Sequence, residues 1–299
     1  MKIFWNMSKH VSILALALLL APAITSADEP AAPASPAFTD VPELTAGFRF
    51  LYEQKFPEGR EKLSAWSAQN PDSPFGYAAQ AASYLFEEFY RQNVLTSDFY
   101  LNEKKFLHGI AGKPDAEQIK NFEEAIAQTR KSAALRLASK PNDAEAYFAL
   151  TLAAGMESNA DMILKKQHLE ALKRLKEANE YAKILLAEQP DAADAYVAMG
   201  SANYIVGSLT VGARMMLWFG GIHGDKKLGM AQVGKTADNG RYLKPFAQIM
   251  LALAARREKQ NALAQKLLLE LTEEFPDSPL FAAEYAKAMG RPIPAEMKP

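Results

Sequence analysis

One octet in this chain has the letters of a phosphate-binding loop. Gly229-Met-Ala-Gln-Val-Gly-Lys-Thr236 satisfies the Walker A pattern, Gly-x-x-x-x-Gly-Lys-Thr, at every fixed position. In a working loop the glycines let backbone N–H groups curl around phosphate oxygens, Lys235 would reach the β- and γ-phosphates, and Thr236 would hold magnesium. That chemistry also needs an apolar strand before the loop, a helix after it and an acidic magnesium partner on another strand. The surrounding sequence supplies none of these. Upstream, Gly221–Leu228 is polar and broken by glycine, while downstream Gly240 is placed to end a helix soon after Thr236. The one Walker-B-like run, Leu267–Glu270, lies inside a helical pattern. A nucleotide-binding enzyme is therefore a reading that rests on the octet alone.

Other reactive residues are dispersed. His10 falls in the N-terminal leader described below, and His108, His168 and His223 show no spacing that would put two ligands on one helical face. There is no Gly-x-Ser-x-Gly elbow. Glu87-Glu88, Glu123-Glu124 and Glu273-Glu274 are adjacent pairs, and neighbours on a helix do not face one another. Cysteine is absent, which excludes thiol nucleophiles, disulfides, cysteine-held zinc and lipid attachment at a processed cysteine. No catalytic, metal-ligating or cofactor-binding residue is assigned, and no cofactor is expected. The 34 basic and 35 acidic side chains are interspersed, without the basic field of a nucleic-acid binder.

The elements that would position any site are helices. Residues 1–27 have the form of a secretory signal: Lys2 and Lys9, an apolar run from Val11 to Leu20, and small residues at Thr25–Ala27. The run is too short to span a bilayer comfortably, so no stable span is expected once it is removed. Residues 28–39 form a Pro/Ala-rich linker. From 40 to 290 apolar residues recur at three- and four-residue steps among strong helix formers. This predicts an all-α domain with helices near 42–55, 57–69, 74–93, 98–107, 115–139, 143–157, 164–188, 192–207, 211–219, 225–238, 243–258, 260–274 and 279–289. Residues 291–299 form a tail.

The helix breaks repeat. Pro71-Asp-Ser-Pro74, Pro141-Asn-Asp-Ala144, Pro190-Asp-Ala-Ala193 and Pro276-Asp-Ser-Pro279 each join a helix stop to an Asp or Ser able to cap the next helix. Reuse of one junction marks stacked supersecondary units.

Set on these prolines, the chain resembles the tetratricopeptide-repeat (TPR) family, a 34-residue helix–turn–helix repeat. Ending a unit at Pro71 puts Gly47 and Gly59 at the small positions 8 and 20, with Phe50, Leu63 and Trp66 at large ones. Ending a unit at Pro276 puts Leu251, Ala252, Ala264, Leu268 and Leu271 in register. The middle units fit with insertions, around Gly155–Lys166 and around Ser208–Gly221, the latter carrying Met215–Phe219. In that register Gly229 of the octet takes the small position 20 and Val233 the large position 24.

The resemblance implies a TPR-like α-α superhelix of antiparallel hairpins, with insertions and a C-terminal capping helix. It also implies that the first helix of each hairpin lines a concave groove, with Phe148, Leu152, Val197, Ser201, Tyr204, Ile249, Leu253 and Arg256 on its wall and Tyr84 at its edge. The alternative is a tightly curled stack in which these residues are core. The expected protein is a periplasmic or secreted, non-catalytic scaffold for a protein or peptide partner. A second reading is a soluble accessory subunit of a periplasmic transporter, holding a small apolar solute in a helical pocket.

Overall fold

The computed structural model describes residues 41–209, 211, 214, 215 and 223–293. The expected leader and linker, most of the expected helix 211–219 and residues 294–299 of the tail lie outside them. The described residues contain thirteen α-helices and no strand. These are α1 (Pro42–Tyr52), α2 (Phe56–Gln69), α3 (Pro74–Arg91), α4 (Ser97–Tyr100), α5 (Glu103–His108), α6 (Ala116–Ser139) and α7 (Ala144–Ile163). They continue with α8 (His168–Glu188), α9 (Tyr196–Ser208), α10 (Lys226–Asn239), α11 (Lys244–Arg257), α12 (Asn261–Glu274) and α13 (Pro279–Ala288).

Three of the four proline junctions end in a side-chain cap. Ser73 Oγ accepts from the Gly76 N–H, Asp143 Oδ1 from that of Ala146, and Ser278 Oγ from that of Phe281. Each satisfies one of the N–H groups that a helix start leaves open. The Pro190 junction departs from this pattern. A 3-10 turn, Ala193–Ala195, leads into α9 without a side-chain cap. Its carboxylate, Asp194, instead accepts N–H bonds from Arg241, Tyr242 and Leu243, at 2.9, 3.2 and 3.0 Å. Burial pushes the Asp194 carboxyl above its ordinary range against the pull of those three donors.

Two expected boundaries shift. The stretch near 98–107 is two short helices, and α7 runs on to Ile163 where an insertion was expected from Gly155. Much of that insertion is thus extra helix, and α7 and α8 are 20 and 21 residues long.

Consecutive long helices pair. In α1/α2 Gly47 faces Leu63 and Gly59 faces Leu51, so the two run antiparallel. In α3/α6 Asp72 and Glu87 lie opposite Ser132 and Gln118. In α7/α8 Tyr147 lies opposite Tyr181 and Ser158 opposite Ala171. In α9/α10 Gly200 meets Val233 and Gly229 meets Tyr204. Gln248 bonds Glu270 across α11/α12, and α13 packs on α12. The glycines let two backbones approach where a Cβ would collide, which brings the large residues of both helices into one seam.

The ends of this series meet. Tyr242, in the turn before α11, is 2 % exposed and packs against Phe48 of α1 and Phe75 of α3, with ring centroids 5.4 and 5.0 Å apart. Phe75 in turn packs on Phe148 at 5.2 Å. Tyr52 Oη donates to the Tyr242 carbonyl at 2.8 Å, Arg49 donates to the Glu274 carbonyl, and Lys55 pairs with Asp277 at 2.8 Å. Phe86 of α3 touches Phe246 of α11. The centre is therefore a continuous apolar core, with the N-terminal hairpin clasped to the C-terminal helices around it.

Candidate functional site

The Walker-like octet lies entirely within α10. Asp225 caps this helix by accepting from the Leu228 N–H, and the Gly229 N–H bonds the Asp225 carbonyl at 2.8 Å. Backbone N–H groups that a phosphate loop would turn outward thus run along a helix axis. Three of the four signature residues have a packing partner. A Cβ on Gly229 would stand 2.5 Å from the Tyr204 nitrogen and 2.8 Å from the Gly200 carbonyl oxygen. Lys235 Nζ sits over the Tyr196 ring, 4.2 Å from its centroid. Thr236 is fully buried, and its Oγ1 donates to the Ala193 carbonyl at 2.7 Å. Gly234, by contrast, has open space where a Cβ would go.

A cleft lies instead between the segment Leu95–Ser97 at the start of α4 and the C-terminal helices α11–α13. It has two adjoining parts that share Arg256. The first is an apolar notch of about 30 Å³ against Leu95 and Ser97 near α4, walled by Ile249, Leu253, Leu268, Leu280 and Phe281. The second is a recess of about 260 Å³ between Arg256, Asn261, Ala264, Lys287, Ala288 and Gly290. An ion network spans the cleft. Arg256 Nη1 donates to Ser97 Oγ at 2.6 Å and lies 3.8 Å from Glu284, which is 7 % exposed. Lys287 Nζ meets both Asp98 and Glu284 at 2.9 Å. Burial works against the Lys287 charge, but the Asp98 and Glu284 carboxylates outweigh it and hold the ammonium above its ordinary pKa. The bond from Lys287 likewise holds Asp98 below the usual carboxylate range.

Three of the candidate groove residues, Ile249, Leu253 and Arg256, come together on this cleft. The others lie elsewhere. Phe148 and Val197 are core, at 0 and 5 % exposure, and Leu152 is half-buried against that core. Ser201 donates to the Val197 carbonyl of its own helix. Tyr204 Oη reaches Glu258, which also pairs with Lys226 at 2.8 Å. The bond from Lys226 lowers the Glu258 carboxyl, while burial raises the Tyr204 phenol. Tyr84 is half-buried beneath the Arg60 guanidinium, 4.9 Å from the ring centroid.

Sequence reasoning passed over the residues that build the cleft from α4 and α13: Ser97, Asp98, Glu284 and Lys287. Ser97 and Asp98 lie 159 and 189 positions from their partners Arg256 and Lys287, in the four-residue helix α4. A cationic residue at the end of α13 gave only a generic helix-end signal.

Among the described residues no group of three or more His, Asp or Glu side chains could hold a metal ion, and no helix is long and apolar enough to cross a membrane. His108 Nδ1 lies 2.7 Å from the Lys104 carbonyl, and His168 Nδ1 lies 3.0 Å from the Met162 sulfur. Comparison with protein-family models and with curated proteins finds no match for this chain.

Proposed function

We propose that the chain is an exported, non-catalytic helical-repeat protein of TPR type that holds a protein or peptide partner, and that the partner engages the cleft between α4 and α11–α13. The observation that carries this reading is the convergence of Ile249, Leu253 and Arg256 on that cleft, an apolar wall beside a polar recess. Peptide recognition uses such a combination, because the apolar wall supplies affinity and the polar groups fix orientation. The repeat assignment is supported by Gly47/Gly59 and Gly200/Gly229, which sit at the two small positions of the TPR register and lie where the helices of their hairpins approach closely.

A whole solute fits less well. Small-molecule pockets typically enclose about 300–1,000 Å³. The larger part of the cleft is about 260 Å³, and the apolar part is about 30 Å³. These suit the end of a chain more than an engulfed apolar molecule. The helical state of Gly229–Thr236 argues against nucleotide chemistry there.

A photo-crosslinking side chain placed at Leu253 tests the proposal in envelope extract. The expected result is a discrete protein adduct that is absent when the same group replaces exposed Leu135. Identical labelling at both positions would overturn the assignment of the cleft. Micromolar ATP binding that disappears with Lys235→Ala would overturn the non-catalytic reading.

A further inference from the structure

Resting on that reading of the cleft, we propose that residues 95–109 form a strap that closes it, and that the partner enters only when the strap swings away. An apolar cavity of about 150 Å³ admits a benzene ring. The notch holds about 30 Å³, too little for the side chain of a leucine or an aromatic residue. One of its walls must therefore move to admit the partner. One wall belongs to α11, α12 and α13, which pack on one another in series. The other, Leu95 and Ser97, belongs to a segment inserted between the paired helices α3 and α6. That segment is the movable one.

Its ends are hinged and anchored. Asn93 at φ 56° and Gly109 at φ 67° bracket the segment with left-handed backbone. Beside them the Val94 N–H donates to the Phe89 carbonyl at 2.8 Å and the Ile110 N–H to the Ile163 carbonyl at 3.0 Å, and both side chains are buried. Between the anchors Phe99, Tyr100 and Phe106 pack on one another, with centroids 5.3, 6.4 and 6.1 Å apart, so the strap keeps its own shape as it moves. Two polar bonds fasten it across the cleft: Arg256 Nη1 to Ser97 Oγ at 2.6 Å, and Lys287 Nζ to Asp98 at 2.9 Å. Releasing them strands no charge. Arg256 and Lys287 both keep Glu284, while Asp98, 64 % exposed, returns to water. An ion pair this exposed is a weak fastening, which suits a closed majority and an open minority that the partner draws on.

The test starts from the full chain with Leu253→Cys as its only thiol, since the sequence has no cysteine. Alkylation of that thiol by a bulky maleimide should quicken about fivefold when Ser97→Ala and Asp98→Lys are added, because both fastenings are then lost. Amide exchange in the same variant should quicken across 95–109 and stay unchanged in α7. An unchanged alkylation rate, or equal quickening in α7, would overturn the strap. The converse arm locks it: Asp98→Cys and Lys287→Cys are joined by a short bismaleimide in a chain carrying the photo-crosslinking group at Leu253. Locking should cut the protein adduct about fivefold or more, relative to the same chain with each thiol capped by N-ethylmaleimide. An undiminished adduct would also overturn the proposal. A chain that forms no adduct in either state, yet keeps the alkylation difference, would overturn the partner and bear out the strap.

Discussion

The hairpins α1/α2 and α9/α10 cross on the same kind of contact, yet the second is stiffer at its crossing and carries the phosphate-loop letters. In α1/α2 the atoms nearest a Cβ on Gly47 belong to the Leu63 side chain, at 2.5 and 2.7 Å, and a leucine can change rotamer. In α9/α10 the atoms nearest a Cβ on Gly229 are main chain, the Tyr204 nitrogen and the Gly200 carbonyl oxygen. Main chain inside a packed helix cannot step aside. A motif glycine can therefore be required by helix crossing as firmly as by a phosphate. The two uses differ in which glycine matters: a phosphate loop needs both, whereas α10 needs Gly229 and has room at Gly234.

The largest expected effect follows from this contrast. Gly229→Ala should destabilise the fold by about 3 kcal/mol in urea unfolding, because the added carbon meets backbone on two sides. Gly47→Ala should cost less, about 1–2 kcal/mol, since Leu63 can rotate and alanine favours the helix. Equal losses at the two sites would break the comparison. Thr236→Val should also cost about 1–2 kcal/mol, because it leaves the Ala193 carbonyl without its buried donor. Gly234→Ala should stabilise by about 0.5–1 kcal/mol through lower unfolded-state entropy and better helix propensity. In a working phosphate loop the same change would abolish nucleotide binding. Lys235→Ala is expected to be the smallest, a loss of about 0.5 kcal/mol from the contact with Tyr196 and no change in melting temperature on adding ATP.

Local chemistry made the helices legible. The capping residues Ser73, Asp143 and Ser278 follow proline and act within their own turn, so the four junctions could be read one at a time. Helix ends were less exact where a polar residue turned left-handed. Gln54 and Asn93 end α1 and α3 at φ of 59° and 56°, and nothing in the helical spacing announced it. The expected groove divided in a way spacing could not foresee. Register places Phe148 and Leu253 on equivalent faces of their helices, yet one is sealed by Phe75 and the other borders the cleft.

The sequence alone determined the class of the domain, the pairing of glycines at helix crossings and the poor setting of the phosphate-loop octet. All three depend on residues within one or two helical turns or one hairpin, where spacing and steric size suffice. Only the tertiary structure decided that the stack clasps its own ends. The decisive contacts, Tyr242 against Phe48 and Phe75, Lys55 with Asp277, and Arg256 and Lys287 with Ser97 and Asp98, join residues 159 or more positions apart. Whether two such distant faces meet depends on how all the intervening helices pack, and no local pattern encodes that. The same closure sealed Phe148 beneath Phe75 and Tyr242, and left a cleft where Arg256 stands between an apolar notch and a polar recess.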